Sequence, residues 1–224
     1  MNSTSVVNKN EKISLTGNRE LIVSSFEDLS ITLQNNWLEI RKEFMASAMD
    51  WFVENDYDIY DSDKETIQFL LTQNDTILAG MRLTRKENLE STLSWKMLPD
   101  LDSNVGKEFD KELWDLTRLV PGKELDSTNS LDIYAELFGS ALGYLMKLGY
   151  CRDITWVFAT RPIFIRAFKR YGIEFTEMEN AKLKSGVLCY SNPIFRTQYL
   201  ISNREKYKSA LENVIQGFKQ GFHY

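Results

Sequence analysis

The pattern of hydrophobic and polar positions predicts alternating helices and strands. From Asp28 onward, apolar residues recur at spacings of three and four, as on the buried face of an amphipathic helix. Two β-like runs follow at 66–73 and 76–84, and the dipeptide Asn74-Asp75 between them suits a hairpin turn. The first half of the chain is therefore predicted to be a helix followed by an antiparallel strand pair.

The second half of the chain continues this alternation. The run 113–120 is predicted to be a short strand, and an amphipathic helix is predicted to begin at Ser130. The near-continuous apolar run 154–159 is typical of a strand at the centre of a sheet, and a helix is expected over 163–171. The element order predicts an α/β sandwich in which helices flank a mixed sheet.

Shifts in composition divide the chain into parts. Residues 1–20 are rich in Asn, Ser, Thr and Lys and are predicted to be a flexible leader before a strand at 21–27. The domain is expected to span 21–200, and residues 201–224 to form a C-terminal amphipathic helix. The segment 45–63 is acidic and aromatic without a clear period, which predicts a long loop of the kind that often carries function.

Composition narrows the functional classes. The chain has 224 residues and a formal net charge of −5, which disfavours a nucleic-acid partner. Its two cysteines and its single histidine, His223, do not suit a disulfide scaffold, a Cys/His metal site or a histidine-based nucleophilic mechanism. No apolar run has the length of a membrane span and the N-terminus lacks a signal-peptide pattern, so we expect a cytoplasmic protein.

The strand at 113–120 carries polar residues that an apolar strand does not need. Alternation places Asp115 and Thr117 on one face, and Leu116 and Arg118 on the other. Ionic side chains are seldom buried without partners. Candidate partners lie upstream in the chain: Arg41, Asp58, Asp61 and Arg82. The alternative is an edge strand with a solvated acid and base.

Three short motifs share their residue types, order and approximate intervals with one enzyme family. Arg41 precedes Trp51, with Phe44 between them. Two patterns follow: D-x-Y-D at 58–61 and G-x-x-R-L at 80–83. The segment 114–118 is similar to the family's E-x-S-R strand, with Asp115 in place of the glutamate and Thr117 in place of the serine. With these motifs, the chain resembles the acyl-homoserine-lactone synthases, the autoinducer synthases of quorum sensing.

The resemblance covers roughly residues 38–172 and implies a GNAT-like three-layer sandwich. It also implies an acyltransferase that moves an acyl chain from acyl carrier protein to the amine of S-adenosylmethionine and then closes a lactone. Such an enzyme uses S-adenosylmethionine as a substrate and needs no cofactor. A thioester is already activated, so the chemistry requires an oriented neutral amine and stabilisation of an oxyanion rather than a protein nucleophile.

Charge suggests roles for the motif residues. The sulfonium and the amine of S-adenosylmethionine favour carboxylates, so Asp58, Asp61 and Asp115 are candidates to face them. Asp115 is predicted to accept the amine proton, through a water molecule because its side chain is shorter than that of glutamate. Arg41 or Arg118 could bind the α-carboxylate. Alternatively, arginines 82 and 118 could hold Asp61 and Asp115 in place. The non-functional alternatives are a turn with solvated acids for Asp58 and Asp61, and a surface cation at a helix end for Arg41.

The remaining candidates concern the substrate and the donor. Trp51 could cover the adenosyl or homocysteine portion or could pack in the core. The substrate-binding set also includes Phe44 and Thr117. The strand end at Phe158 and Thr160, with Leu142, Met146 and Phe164, could line an acyl pocket or be ordinary core.

A basic helix on this acidic chain could dock an acyl carrier protein through Arg161, Arg166, Lys169 and Arg170, or could be a solvated face. The sequence lacks the loop with which GNAT enzymes cradle the pyrophosphate of coenzyme A, which agrees with a carrier-protein donor. Two other functions remain open: a related N-acyltransferase that makes an N-acyl amino acid, and a non-catalytic ligand-binding domain.

Overall fold

The chain folds as a mixed β-sheet with a helix packed on each face. We describe a computed structural model, in which the described residues are 10–48, 58, 60–96, 113–123, 125, 130–148, 155–160, 176–182 and 187–191. The described strands form one sheet of eight, in the order β1-β2-β3-β4-β5-β6-β8-β7. The predicted α/β sandwich is confirmed.

Secondary-structure elements in the described residues alternate much as the sequence pattern indicates. The strands are β1 (Glu11–Ser14), β2 (Arg19–Ser24), β3 (Thr66–Gln73), β4 (Thr76–Lys86), β5 (Leu113–Pro121), β6 (Thr155–Thr160), β7 (Thr176–Lys182) and β8 (Val187–Ser191). The helices are α1 (Ile31–Ala48), the short α2 (Leu93–Lys96) and α3 (Ser130–Lys147). No helix in the described parts of the chain is long and apolar enough to cross a membrane.

Local chemistry explains several element boundaries. Helix α1 begins after Ser30, whose hydroxyl accepts a hydrogen bond from the amide of Leu33 (3.3 Å). Between β3 and β4, Asn74 and Asp75 both adopt positive φ angles, of 50° and 61°. A two-residue turn of this kind matches the twist of a hairpin, and asparagine and aspartate tolerate it well. The predicted hairpin is therefore confirmed.

Two boundary predictions were wrong. The prediction of a flexible leader over 1–20 is wrong for residues 11–20, because Glu11–Ser14 pairs with β2 as an edge strand and Ile13 packs against the core. The loop predicted over 45–63 starts too early, because α1 continues to Ala48 and includes Met45, whose side chain is buried. The predicted helices at 163–171 and 201–224 lie outside the described residues, as do residues 1–9.

Each face of the sheet has its own apolar cluster. Helix α3 covers one face, where Leu137, Ala141 and Leu145 pack against the strands. Helix α1 covers the other face, where Trp37 packs on Leu70 and Val120 in a smaller cluster. Burial of apolar surface on both faces stabilises the sheet. The smaller cluster leaves part of the α1 face to polar side chains.

Candidate active site

A row of polar side chains crosses the sheet under α1. Ser24, Gln68, Arg82 and Thr117 are successive cross-strand partners on β2 to β5, so their side chains share one face. Gln68 and Arg82 are fully buried. Buried polar groups need hydrogen-bond partners, and for Gln68 and Arg82 these come from α1, the 58–61 turn and β5.

The D-x-Y-D segment is a turn that holds its own carboxylates. The backbone amide of Asp61 donates to the carbonyl of Asp58 (2.9 Å), and the amide of Asp58 donates back to Asp61 Oδ2 (3.0 Å). The amide of Tyr60 donates to Asp58 Oδ1 (2.9 Å). The turn therefore positions both carboxylates through its own backbone hydrogen bonds.

Helix α1 contributes the first guanidinium of the site. Arg41 donates from both terminal nitrogens to the two oxygens of Asp61, at 2.9 Å and 3.0 Å, and both side chains are fully buried. One turn earlier, Trp37 Nε1 donates to Gln68 Oε1 (3.1 Å), and Gln68 Nε2 donates to Asp61 Oδ1 (3.1 Å). A residue larger than Gly80 would not fit under Trp37, because an added Cβ would lie 2.6 Å from its ring.

Arg82 is the centre of the network. Its Nη1 donates to Asp58 Oδ1 (2.8 Å) and Asp61 Oδ1 (3.0 Å), its Nη2 donates to Asp58 Oδ2 (3.1 Å), and its Nε donates to Thr117 Oγ1 (2.9 Å). Burial alone would lower the pKa of Arg82, but the charges of Asp61 and Asp58 reverse this and raise it. Arg82 therefore remains a cation while buried.

Asp61 responds to these neighbours in the opposite direction. Burial by itself would raise the pKa of its carboxyl group. The hydrogen bonds from Arg41, the charges of Arg41 and Arg82, and the backbone amide of Asp58 more than offset burial, so the pKa of Asp61 is lowered. Asp61 is therefore ionised and binds two arginines.

A β-bulge in β5 brings Arg118 to the same network. Gly80 pairs with Val120 and Arg82 pairs with Thr117, so one extra residue of β5 lies between these pairs. Arg118 lies in this bulge with φ of 56°, in the left-handed region. Its Nη2 donates to Asp58 Oδ2 (3.0 Å). Alternation had predicted Arg118 on the opposite face with Leu116, and this was wrong because the bulge redirects its side chain.

Among the described residues of the network, Asp58, Thr117 and Arg118 are partly exposed. The side chains of Arg41, Arg82 and Asp61 are 0% exposed, whereas Arg118 is 10% and Asp58 24% exposed. A ligand reaching the network from solvent would meet Asp58 and Arg118 first. Of the two arginines that the sequence offered for a carboxylate ligand, Arg118 is the accessible one and Arg41 is committed to Asp61.

Asp115 has partners that the sequence did not predict. Its Oδ1 accepts from the Ser94 hydroxyl (2.5 Å), and its Oδ2 accepts from the amides of Leu93 (2.6 Å) and Ser94 (3.3 Å). These contacts make Asp115 an anchor for the start of α2. Burial raises its pKa, partly offset by the Ser94 hydroxyl, the two amides and the charge of Arg82.

Strands β5 and β6 separate beside Asp115. They pair in parallel from Leu113–Thr155 through Trp114–Trp156 to Asp115–Val157. Beyond this point β5 stays paired with β4, and β6 stays paired with β8 as far as Thr160. Two parallel strands that diverge leave unpaired backbone groups on their facing edges, which an extended ligand could pair with.

The structure places most of the motif residues together. Six of them share one network: Arg41, Asp58, Asp61, Arg82, Thr117 and Arg118. Phe44 packs at the edge of the α1 cluster, Phe158 is buried in the α3 cluster, and Thr160 is buried at the end of β6. Trp51, Phe164 and the basic residues Arg161, Arg166, Lys169 and Arg170 lie outside the described residues.

Sequence reasoning missed three residues that organise the site. Gln68 is a polar residue in an otherwise apolar run, which was a usable signal, whereas Trp37 was predicted only as part of a helix stripe. Ser94 lies in a polar segment with no periodicity, so nothing in the sequence pointed to it. In the described part of the chain, no group of three His, Cys, Asp or Glu side chains could hold a metal ion.

Several solved structures have a fold similar to that of this chain. The CoA-dependent acyl-homoserine lactone synthase BjaI, solved with SAM and isopentyl-CoA, matches with a TM-score of 0.60 at 13% identity, over 88% of each chain. An acyl-CoA N-acyltransferase from Pseudomonas aeruginosa matches with a TM-score of 0.54 at 14% identity, over 78% of this chain and 99% of that one. The chain has the fold of the GNAT-like acyltransferases.

A third similar structure belongs to an enzyme that makes a different class of product. The N-acyl amino acid synthase FeeM from uncultured soil microbes matches with a TM-score of 0.55 at 12% identity, over 80% of this chain and 93% of that one. No protein-family model matches the sequence, and no curated protein sequence matches it significantly. At these identities the matches establish the GNAT-like fold, and the reaction has to be argued from the site.

Proposed function

We propose that this protein is an acyl-homoserine-lactone synthase that makes a quorum-sensing signal. The observation that supports this most is the ionic network, in which Arg82 binds Asp58 and Asp61 while Arg118 binds Asp58 at the accessible end. Isolating charges from water is costly, and removing one partner leaves an uncompensated charge. A buried network of this size beside diverging parallel strands suggests a site selected for a charged ligand.

The proposed reaction joins a thioester and an amino acid derivative. The neutral amine of S-adenosylmethionine attacks the thioester carbonyl, the C–S bond breaks, the amine loses a proton, and the thiolate leaves as a thiol after protonation. An oxygen of the α-carboxylate then displaces methylthioadenosine from the γ-carbon, which closes the lactone. The first step needs orientation and oxyanion stabilisation, and the leaving group of the second step is part of the substrate.

We assign the acceptor to the accessible end of the network. Arg118 is well suited to the α-carboxylate, because a guanidinium binds a carboxylate through two hydrogen bonds. Asp58 would face the cationic part of the acceptor, and Arg82 with Thr117 would keep Asp58 and the bulge in register. We expect the acyl thioester between β5 and β6, beyond the Asp115–Val157 pair.

The donor and the acceptor each have an alternative. An acyl carrier protein is the donor that the family resemblance implies, whereas BjaI is CoA-dependent. A free amino acid could replace S-adenosylmethionine, as the similarity to FeeM suggests. The third alternative, a non-catalytic binding domain, predicts ligand binding without turnover.

The decisive experiment is an assay of the purified chain with defined substrates. The chain would be incubated with S-adenosylmethionine and a thioester donor, either acyl carrier protein loaded with a fatty acyl group or acyl-CoA, and the products would be identified by mass spectrometry. An N-acyl homoserine lactone with release of methylthioadenosine supports the proposal. N-acyl amino acids in parallel reactions with free amino acids would replace it with the FeeM-like activity.

Two variants make the assay specific to the site. Arg118→Ala should raise the KM for the acceptor, because it removes the accessible guanidinium. Lys12→Ala, on the exposed side of edge strand β1, is the matched cation control and should behave like the parent. A folded chain that binds S-adenosylmethionine but yields no acylated product with any donor would contradict an enzymatic role.

A further inference from the structure

The segment 89–96 connects two parts of the candidate site. On one side, the start of α2 gives three hydrogen bonds to Asp115 from Leu93 and Ser94. On the other side, the Ser91 carbonyl accepts from the hydroxyl of Tyr60 (3.2 Å), and Lys96 Nζ donates to the same hydroxyl (2.9 Å). The segment is therefore held between β5 and the D-x-Y-D turn.

Tyr60 carries this connection into the ionic network. Its backbone amide donates to Asp58 Oδ1 (2.9 Å), and its ring lies 5.7 Å from the Arg82 guanidinium carbon. The ring also lies 4.6 Å from Lys86 Nζ and 5.5 Å from Lys96 Nζ. A shift of the segment would therefore move Tyr60, and with it the carboxylate of Asp58 at the accessible end of the network.

Asp115 is poorly placed to take a proton from a substrate. It is fully buried, and both of its oxygens accept hydrogen bonds from the start of α2. A substrate amine would have to reach a carboxylate that is 0% exposed and compete there with the hydroxyl and the two amides that already bind it. The positive charge of Arg82 also acts on Asp115 and lowers its pKa, but less than burial raises it.

We propose that Asp115 is a positioning residue that anchors the segment 89–96 and thereby orients Tyr60 and Asp58, rather than the acceptor of the amine proton. This inference rests on the proposed acyl transfer, because it assigns Asp115 a role in that reaction. It also explains why aspartate suits this position: the shorter side chain lets the carboxylate cap the main-chain amides of α2 directly.

The kinetic test compares Asp115→Asn with Ser94→Ala and with the double variant. An anchor requires both partners, so each single variant should lower kcat/KM about 10- to 100-fold, and the double variant should be little worse than either. The loss should not shrink as the pH approaches the pKa of the substrate amine, and Ser94→Thr should restore activity through its hydroxyl. Asp75→Asn, in the hairpin turn, and Ser47→Ala, on the exposed face of α1, are the matched controls.

A proton acceptor would give a different result. Ser94→Ala would then stay close to the parent, and the defect of Asp115→Asn would shrink as the pH approaches the pKa of the substrate amine, where the free amine no longer needs a base. Either outcome overturns the anchoring proposal.

Hydrogen exchange tests the anchor without relying on turnover. In Asp115→Asn and in Ser94→Ala, amide exchange should be faster over 89–96, at Leu93 and Ser94 above all, and over 58–61, while β3 stays protected. Unchanged exchange in Ser94→Ala would refute the anchor even if Asp115→Asn failed to fold. If the intact chain made no acylated product, the proposed function would fail, and the exchange result would still decide whether Asp115 anchors this segment.

Discussion

Arg41 and Asp61 form an ion pair with two parallel hydrogen bonds, of 2.9 Å and 3.0 Å, and neither side chain is exposed to solvent. The pair connects helix α1 to the D-x-Y-D turn. Asp61 also accepts hydrogen bonds from Arg82 and Gln68, so the pair is part of a larger network rather than an isolated bridge. This connection gives Arg41 a structural role, whereas the sequence had left open that it binds a carboxylate ligand.

Removal of one partner from this pair should be strongly destabilising. Arg41→Ala leaves Asp61 with less compensation in a buried position, and we expect the free energy of unfolding to fall by about 3–5 kcal/mol. Urea unfolding followed by circular dichroism measures this change. Arg85→Ala is the control, because the Arg85 side chain is 43% exposed and lies 3.8 Å from Glu65. Equal effects of the two substitutions would contradict the importance of the buried pair.

Gly80→Ala should disturb the packing of α1 on the sheet. The added Cβ would lie 2.6 Å from the Trp37 ring and 2.8 Å from Leu70 Cδ2. We expect a loss of about 1–3 kcal/mol, measured by urea unfolding. Trp37→Phe removes the ring atoms that would clash, so the double variant should lose less stability than the sum of the single variants. Simple additivity would mean that the clash is relieved in another way.

The backbone at Arg118 allows a comparison that separates strain from chemistry. Arg118 has φ of 56°, a conformation that costs roughly 1–2 kcal/mol for residues with a Cβ and little for glycine. Arg118→Gly and Arg118→Ala both lose the guanidinium, so both should impair acceptor binding to the same extent. The glycine variant should nevertheless be more stable than the alanine variant by about 1 kcal/mol. Equal stability in urea would show that the bulge relaxes when the side chain is removed.

Asp115 should make stability depend on pH in a recognisable direction. Burial raises the pKa of Asp115 in the folded state above 3.8, the ordinary value of an exposed aspartate, which applies to the unfolded chain. Between these two pKa values the folded state binds more protons than the unfolded state, so the contribution of Asp115 to stability falls as the pH rises through this interval. Asp115→Asn lacks this titration.

The matching measurement is urea unfolding of both proteins across the acidic range. The free energy of unfolding of the parent, minus that of Asp115→Asn, should decrease with pH above 3.8 and become flat above the folded-state pKa of Asp115. A difference that increases with pH would mean that the donors of α2 outweigh burial and lower the pKa.

The sequence determined the secondary structure well where hydrophobic periodicity is strong. The β3–β4 hairpin follows from two apolar runs around Asn74-Asp75, and α1 and α3 follow from stripes at helical spacing. These are local properties: a strand or helix buries one face, and the chain must repeat apolar residues with the matching period. The motif residues also identified most of the ionic network, because charged residues in apolar elements require partners.

Tertiary structure alone decided which partners these residues have. Asp115 was expected to meet arginines, yet its hydrogen bonds come from Leu93 and Ser94. Arg118 was expected on the opposite face, yet the bulge places it against Asp58, sixty positions earlier in the chain. The alternation rule holds only while two strands stay in register, and a bulge depends on the neighbouring strand as much as on its own sequence. Hydrophobic periodicity thus determined which faces of the elements are buried. Strand pairing and the length of each side chain determined which charged residues form ion pairs.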